Sequence, residues 1–306
     1  MQDAIRQYQQ HHSTEGHRTS TIQWHRERLG RFYQFLHDRG YPTDVTDLRA
    51  AHLREFITHL QTECTRPDGL PLSPAYIHGF VRSVKAFFHW CHTEELIERN
   101  HMDKVKRPKL PIEAKATYTQ QEIEALLNAC DRRTIAGARN FAAILLLYSA
   151  GLRAEELLGL RERDLDPQHD LVLVARGKGG KYRPVPYQGQ ARKAVERYLA
   201  HPRRGWYPPD PDGHIFLTEA GTPMTYQGLF AAVRRLGKPL GIAVGLHKFR
   251  HTMAVEFVRE GRIETLKNIL GHSTLDMTLH YARQAGVDLA KEHATADPAR
   301  NLKVRV

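Results

Sequence analysis

The segment Arg99–Lys115 constrains this chain more than any other stretch. It carries six basic residues (Arg99, Lys104, Lys106, Arg107, Lys109, Lys115) against two acidic ones, Asp103 and Glu113. Pro108 and Pro111 fix φ and remove two backbone donors, so a helix or a central strand cannot run through it. A chain of 306 residues is long enough for two cores, and this segment is where they part. We therefore expect a first domain over 1–105, a basic linker over 106–116 and a second domain over 117–306.

The first domain reads as helices alone. Ser20-Thr21-Ile22-Gln23 fits a capping box, and Ile22, Leu29, Phe32 and Leu36 recur on one face up to Asp38, before Gly40. About 18 residues precede this first expected helix. A second helix is expected from Ala50 to Thr62, with Leu53, Phe56, Ile57 and Leu60 apolar. Ser73-Pro74 is an N-cap followed by proline at the first helical position, opening a third helix to about Cys91. A short helix over Glu94–Arg99 is expected to close the bundle.

The second domain opens on another capping box, Thr119–Glu122. The apolar run Phe141–Leu152 is too short for a bilayer, which needs about 20 residues, and suits a buried helix. Two strands, Asp170–Arg176 and Lys181–Tyr187, flank Gly177-Lys178-Gly179-Gly180 and form a hairpin. Helical segments are expected near 191–200, 225–236, 247–260, 263–270 and 274–282. The fold class is thus mainly α with a small β-sheet: an all-α bundle, then a mixed α/β domain.

Forty-five Lys+Arg against 34 Asp+Glu leave a net charge of +11, which favours a polyanionic partner. The three cysteines, Cys64, Cys91 and Cys130, are far apart and fit a reducing compartment. No apolar signal core opens the chain, so a cytoplasmic, nucleoid-associated protein is expected.

The chemistry lies in separated motifs: Gly151-Leu152-Arg153-Ala154-Glu155-Glu156, Gly177-Lys178-Gly179, His247-Lys248-Phe249-Arg250, Leu270-Gly271-His272 and Tyr281. Arginine presents a permanent charge in a planar fork, which suits phosphate oxygens gaining negative charge. His247 and His251 stand one turn apart, but Lys248 occupies the place of the glutamate in a metalloprotease motif, so a metal is not expected there. A phenol needs a base or a positive field before it attacks.

This set resembles the tyrosine recombinases, the phage integrases and Xer-type enzymes, over nearly the whole chain. The resemblance implies that Arg153 and Arg250 clamp the scissile phosphate and that His272 hydrogen-bonds it. It implies that Lys178 protonates the leaving 5′ oxygen, that His247 moves a proton at the tyrosine, and that Tyr281 is the nucleophile. Glu156 and His251 would support these groups from behind. The expected activity is site-specific DNA recombination through a 3′-phosphotyrosyl intermediate, with no cofactor, metal or ATP. A type IB topoisomerase and a DNA-binding regulator without cleavage are the alternatives.

The resemblance also assigns domains and partners. The bundle becomes a SAM-like core-binding domain, and with it the catalytic domain clamps duplex DNA. The expected partners are an inverted-repeat core site and a homotetramer spanning two sites. Arg82, Lys85, Lys104, Lys106, Arg107 and Lys109 are expected on the DNA. The larger integrases' arm-binding domain is expected to be missing. Residues 287–306 are expected to dock on a neighbouring protomer.

Overall fold

The computed structural model describes residues 1–108, 116–175, 182–200, 210, 212–271 and 281. The hairpin tip with Lys178, and Lys109, His272 and the 287–306 tail, lie outside the described residues. The chain divides into two compact units, Met1–Glu113 and Ala114–Val306. No helix among the described residues is long and apolar enough to cross a membrane.

The first unit contains α1 (Gln2–Thr14), α2 (Thr19–Asp38), α3 (Ala50–Thr62) and α4 (Pro74–Thr93), followed by a 3₁₀ turn, His101–Lys104. Its core is the expected stripe of α2 (Leu29, Phe32, Leu36) against Leu53, Phe56 and Leu60 of α3 and Ile77, Val81, Val84 and Phe88 of α4. Ser73 caps α4 as its spacing predicts, its hydroxyl accepting from the Tyr76 amide at 3.2 Å, with Pro74 at the first position.

Three expectations fail in this unit. Helix α1 occupies the stretch expected to precede the first helix, and seats Ala4, Ile5 and Tyr8 in the core. Three apolar residues on a polar helix leave too weak a stripe to read in advance. The N-cap of α2 is Arg18, not Ser20, because the turn from α1 already places the Arg18 carbonyl to accept from Thr21 and Ile22. Glu94–Arg99 is no helix. Helix α4 ends in a turn with Glu95 at φ 57°, and the Leu96 amide donates to the Cys91 carbonyl at 2.8 Å. That closure tucks Ile97 into the core and lets Asn100 cap the 3₁₀ turn, which buries Met102.

The second unit begins with α5 (Gln120–Asn128), where Thr119 and Glu122 cap each other as the spacing predicts. Helix α6 (Ile135–Ser149) is apolar on nearly all sides, with Ala142–Leu147 buried. It turns at Gly151, φ 59°, into α7 (Ala154–Leu158). Strands β1 (Leu165–Asp166), β2 (Leu171–Ala175) and β3 (Tyr182–Pro186) form an antiparallel sheet in that order. The β2–β3 hairpin is the expected one; β1, two residues long, is an addition. Val172, Val174, Arg183 and Val185 alternate onto the buried face.

Helices α8 (Gly189–Tyr198), α9 (Tyr226–Gly237), α10 (Leu246–Arg259) and α11 (Ile263–Leu270) complete the described unit. The start of α10 is pinned by Tyr118, whose hydroxyl donates to the Gly245 carbonyl at 3.2 Å and accepts from the Gly245 amide at 2.9 Å. Helix α11 ends on Gly271 at φ 66°. A Cβ there would lie 3.0 Å from Cδ of Arg183.

Gly271→Ala therefore meets both backbone strain and a buried arginine. Left-handed backbone alone costs a non-glycine residue about 1–2 kcal/mol. Gly261, at φ 70° with nothing within 4 Å of a Cβ, isolates that backbone component. In urea unfolding, Gly271→Ala should lose more stability than Gly261→Ala. Equal losses would show that Arg183 accommodates the methyl group freely.

Candidate active site

The site is organised around one carboxylate. Arg153 is the N-cap of α7, and three residues later Glu156 turns back to it: the Arg153 amide donates to Glu156 Oε2 and its guanidinium to Oε1, both at 2.8 Å. From β3, Arg183 adds a bidentate pair, Nη1 to Oε1 at 2.9 Å and Nη2 to Oε2 at 2.7 Å. Arg250 on α10 brings Nη1 to 4.0 Å from Oε2. Three guanidiniums thus surround one carboxylate, and the excess positive charge calls for an anion.

Burial works to raise the Glu156 carboxyl. The hydrogen bonds from Arg183 and from the Arg153 amide overcome it and hold the group at about 2. Arg250 is only 1% exposed. Burial first, then the Arg153 charge, lower it to about 10, so it stays protonated at neutral pH.

Two of these arginines also satisfy the end of α11. Arg183 Nε donates to the Ile269 carbonyl at 3.0 Å, and Arg250 Nη2 to the Leu270 carbonyl at 3.0 Å. Arg250 Nη1 donates to the Gly151 carbonyl at 2.6 Å, tying the α6–α7 corner to the same point. Carbonyls at a helix C-terminus are orphans at the negative end of the dipole, so cations are well placed there. The Arg183 and Arg250 guanidiniums thereby fix the end of the helix that leads toward Tyr281.

Tyr281 is 6% exposed. Its hydroxyl lies 3.1 Å from His251 Nδ1. Burial raises the phenol above its ordinary range, while the charges of Arg250 and Arg153 and a hydrogen bond from Arg250 pull it down. The His247 ring stands edge-on to His251, centroids 4.6 Å apart, and His247 is exposed.

The structure therefore brings Arg153, Glu156, His247, Arg250, His251 and Tyr281 to one place. It puts His251, expected only behind the reacting groups, directly on the phenol. Spacing could not separate the two, because residues four apart share a helix face. Arg183 is the residue the sequence reading missed. Its signal was available: it sits at the same strand parity as Val185, an arginine on a face otherwise apolar.

Of the expected DNA-binding residues, Arg82, Lys85, Lys104, Lys106 and Arg107 are described and belong to the first unit. Lys104, Lys106 and Arg107 are exposed. Arg82 is exposed, with its guanidinium 4.6 Å from the Trp24 ring centre. Lys85 is half-buried and donates to the Asp103 and Val105 carbonyls at 3.1 and 2.9 Å, holding the 3₁₀ turn against α4.

Residues 117–286 match the phage integrase family. The chain belongs to the tyrosine recombinases. It is 32% identical over 291 residues to tyrosine recombinase XerC 2 of Ralstonia nicotianae, covering 93% of this chain and 82% of that protein. It is 30% identical over 272 residues to tyrosine recombinase XerC of Bacillus licheniformis, covering 87% and 86%. Among solved structures, it is similar to the Tn1549 transposon integrase in complex with circular intermediate DNA, with TM-score 0.74 and 25% identity over 96% of this chain and 98% of that one. A λ integrase dimer bound to a core site shares the fold, with TM-score 0.72 at 14% identity over 94% and 97%.

The acid response of this recombinase should carry the signature of Glu156. The folded carboxyl titrates at about 2, against 4.5 unperturbed, so its contribution is present above the unperturbed value and lost as pH falls through the folded one. That contribution is on the order of 3 kcal/mol. Glu156→Gln should be strongly destabilised at neutral pH, where three guanidiniums lose their counter-charge. The gap to wild type should narrow between about pH 5 and about pH 2 in urea unfolding. A gap independent of pH would show that Glu156 is not an ionised partner of the arginines.

Proposed function

We propose that this chain, a site-specific recombinase of the tyrosine class, cuts DNA with Tyr281 as its nucleophile. The observation that carries the assignment is the Tyr281 hydroxyl beside His251 and under the charges of Arg250 and Arg153. The phenol oxygen attacks the scissile phosphorus and its proton passes to the His251–His247 pair. Arg153 and Arg250 take the charge that develops on the non-bridging oxygens. The 5′ oxygen leaves, protonated by Lys178. The product is a 3′-phosphotyrosyl link and a free 5′ hydroxyl. The link preserves the energy of the broken ester, so attack by another 5′ hydroxyl rejoins the strand without ATP.

His272 joins this set as a phosphate donor. The first unit serves as the core-binding domain, with Arg82, Lys85, Lys104, Lys106, Arg107 and Lys109 on the phosphate backbone. A tetramer on two inverted-repeat sites exchanges strands pairwise, coupled through the 287–306 tails. Support comes from the relatives, named tyrosine recombinases at about the same length, and from a similar integrase solved with DNA.

Tyr281→Phe tests the assignment. The ring keeps its packing and loses one hydroxyl, a change worth about 1 kcal/mol of stability. The variant should bind the core site as wild type does, yield no covalent adduct, and exchange no strands between two sites. Adduct formation by Tyr281→Phe would assign the nucleophile elsewhere.

A further inference from the structure

The first unit carries a cluster of histidines that the recombination chemistry does not use. Helix α1 ends in a turn whose hydrogen bonds are those of a Schellman motif. Glu15 is the C-cap, Gly16 takes φ 68°, the Gly16 amide donates to the Ser13 carbonyl at 3.0 Å, and the His17 amide donates to the His12 carbonyl at 2.9 Å. This motif brings the side chain two residues past the cap against the one three residues before it, and those positions usually hold an apolar pair. Here they hold His17 and His12, and the C-cap between them is a carboxylate.

The rings meet accordingly. The Nδ1 atoms of His12 and His17 are in direct contact, and the ring centroids are 4.5 Å apart. Glu15 Oε2 lies 3.8 Å from His17 Nδ1. One ligand atom from each of His12, Glu15 and His17 falls within 4.8 Å of the others. The rest of the unit holds the His12 ring in place: Tyr8 packs edge-on at 4.3 Å, and His25 stacks at 5.5 Å, itself held by Ser83 through Nδ1 at 2.8 Å.

We propose that His12, Glu15 and His17 bind a divalent transition-metal ion, zinc by donor chemistry, which clips α1 to the start of α2. Two imidazoles and a carboxylate are borderline donors that suit zinc, whose bonds to nitrogen and oxygen run about 2.0–2.2 Å. Tetrahedral ligands at that radius stand about 3.3 Å apart. The Nδ1 pair is closer than this and Glu15 farther, so a small opening of the His17 turn and a rotation of the exposed Glu15 side chain complete the geometry. An ion there would replace the contact between the two Nδ1 atoms with a bond to each. It also sits at the C-terminus of α1, where the helix dipole favours positive charge. His11 Nε2 lies 3.5 Å from Glu15 Oε1, so the carboxylate has a second imidazole neighbour at the helix end. The ion is structural: its ligands come from a helix end in the first unit, whereas Tyr281 and its arginines belong to the second.

The test uses the full-length chain, stripped of metal with a chelator and desalted. Cobalt(II) is added as the spectroscopic probe, followed by zinc. Wild type should bind one cobalt equivalent with the visible bands of tetrahedral coordination. Zinc should displace it and raise the Tm by several degrees. His17→Ala, on a half-exposed turn residue, and Glu15→Gln, on an exposed one, should keep their far-ultraviolet circular dichroism. Each should lose the bands and bind zinc about ten-fold or more weakly. His89→Ala, an exposed histidine outside the cluster, should behave as wild type. The proposal is overturned if wild type shows no tetrahedral bands, or if His17→Ala and Glu15→Gln match it in spectrum, stoichiometry and Tm response.

Discussion

The second unit depends on the ion pairs of Glu156. Without it, Arg153, Arg183 and Arg250 would be cations held close together with no counter-charge, two of them buried. Removing one partner from such a set leaves buried charge uncompensated, a loss of several kcal/mol. With it, one carboxylate orients Arg153 and Arg183 by direct hydrogen bonds and still leaves positive charge in excess. The fold thus stabilises itself and remains ready for an anion. Arg183 couples the two purposes, since it binds Glu156 and caps the carbonyl end of α11 at once.

Tyr281, the nucleophile of our proposal, inherits this arrangement. Burial makes the Tyr281 phenol a poorer acid, and the guanidiniums of Arg250 and Arg153 work in the opposite direction. In the free protein burial dominates, so the hydroxyl keeps its proton and its hydrogen bonds. The proposed attack then needs a base in contact with the oxygen, and His251 is a group in contact with it. His247 stands beside it and is exposed, so in the proposed reaction it would give the proton a route to solvent.

Much of the fold was legible in the residue pattern. The bounds of α3, the Ser73 and Thr119 caps and the β2–β3 hairpin follow from spacing and turn chemistry alone. What escaped did so for physical reasons. Helix α1 has too few apolar residues to show a stripe, and its stability comes from Tyr8 packing in the core and from the Schellman closure after it. Arg18 caps α2 because the preceding turn dictates the backbone there, overriding a better capping side chain at Ser20. At the site, Arg153, Glu156 and Arg250 announced themselves through their motifs. Arg183 did not, because a buried arginine is uncommon and its reason for burial, Glu156, is distant in sequence. The choice between His247 and His251 rests on side-chain placement, with His251 Nδ1 3.1 Å from the Tyr281 hydroxyl, which helical spacing does not encode.

The most direct measurement is the chemical identity of the protein–DNA adduct. A core-site duplex nicked just past the cleavage point traps the covalent intermediate, because the short released strand diffuses away before rejoining. Proteolysis and mass spectrometry of that adduct then locate the modified residue among the chain's 12 tyrosines. Our account predicts a nucleotide joined through its 3′ phosphate to Tyr281, with a 5′ hydroxyl on the released fragment. A link to any other residue, or a 5′-phosphoryl attachment, would contradict it.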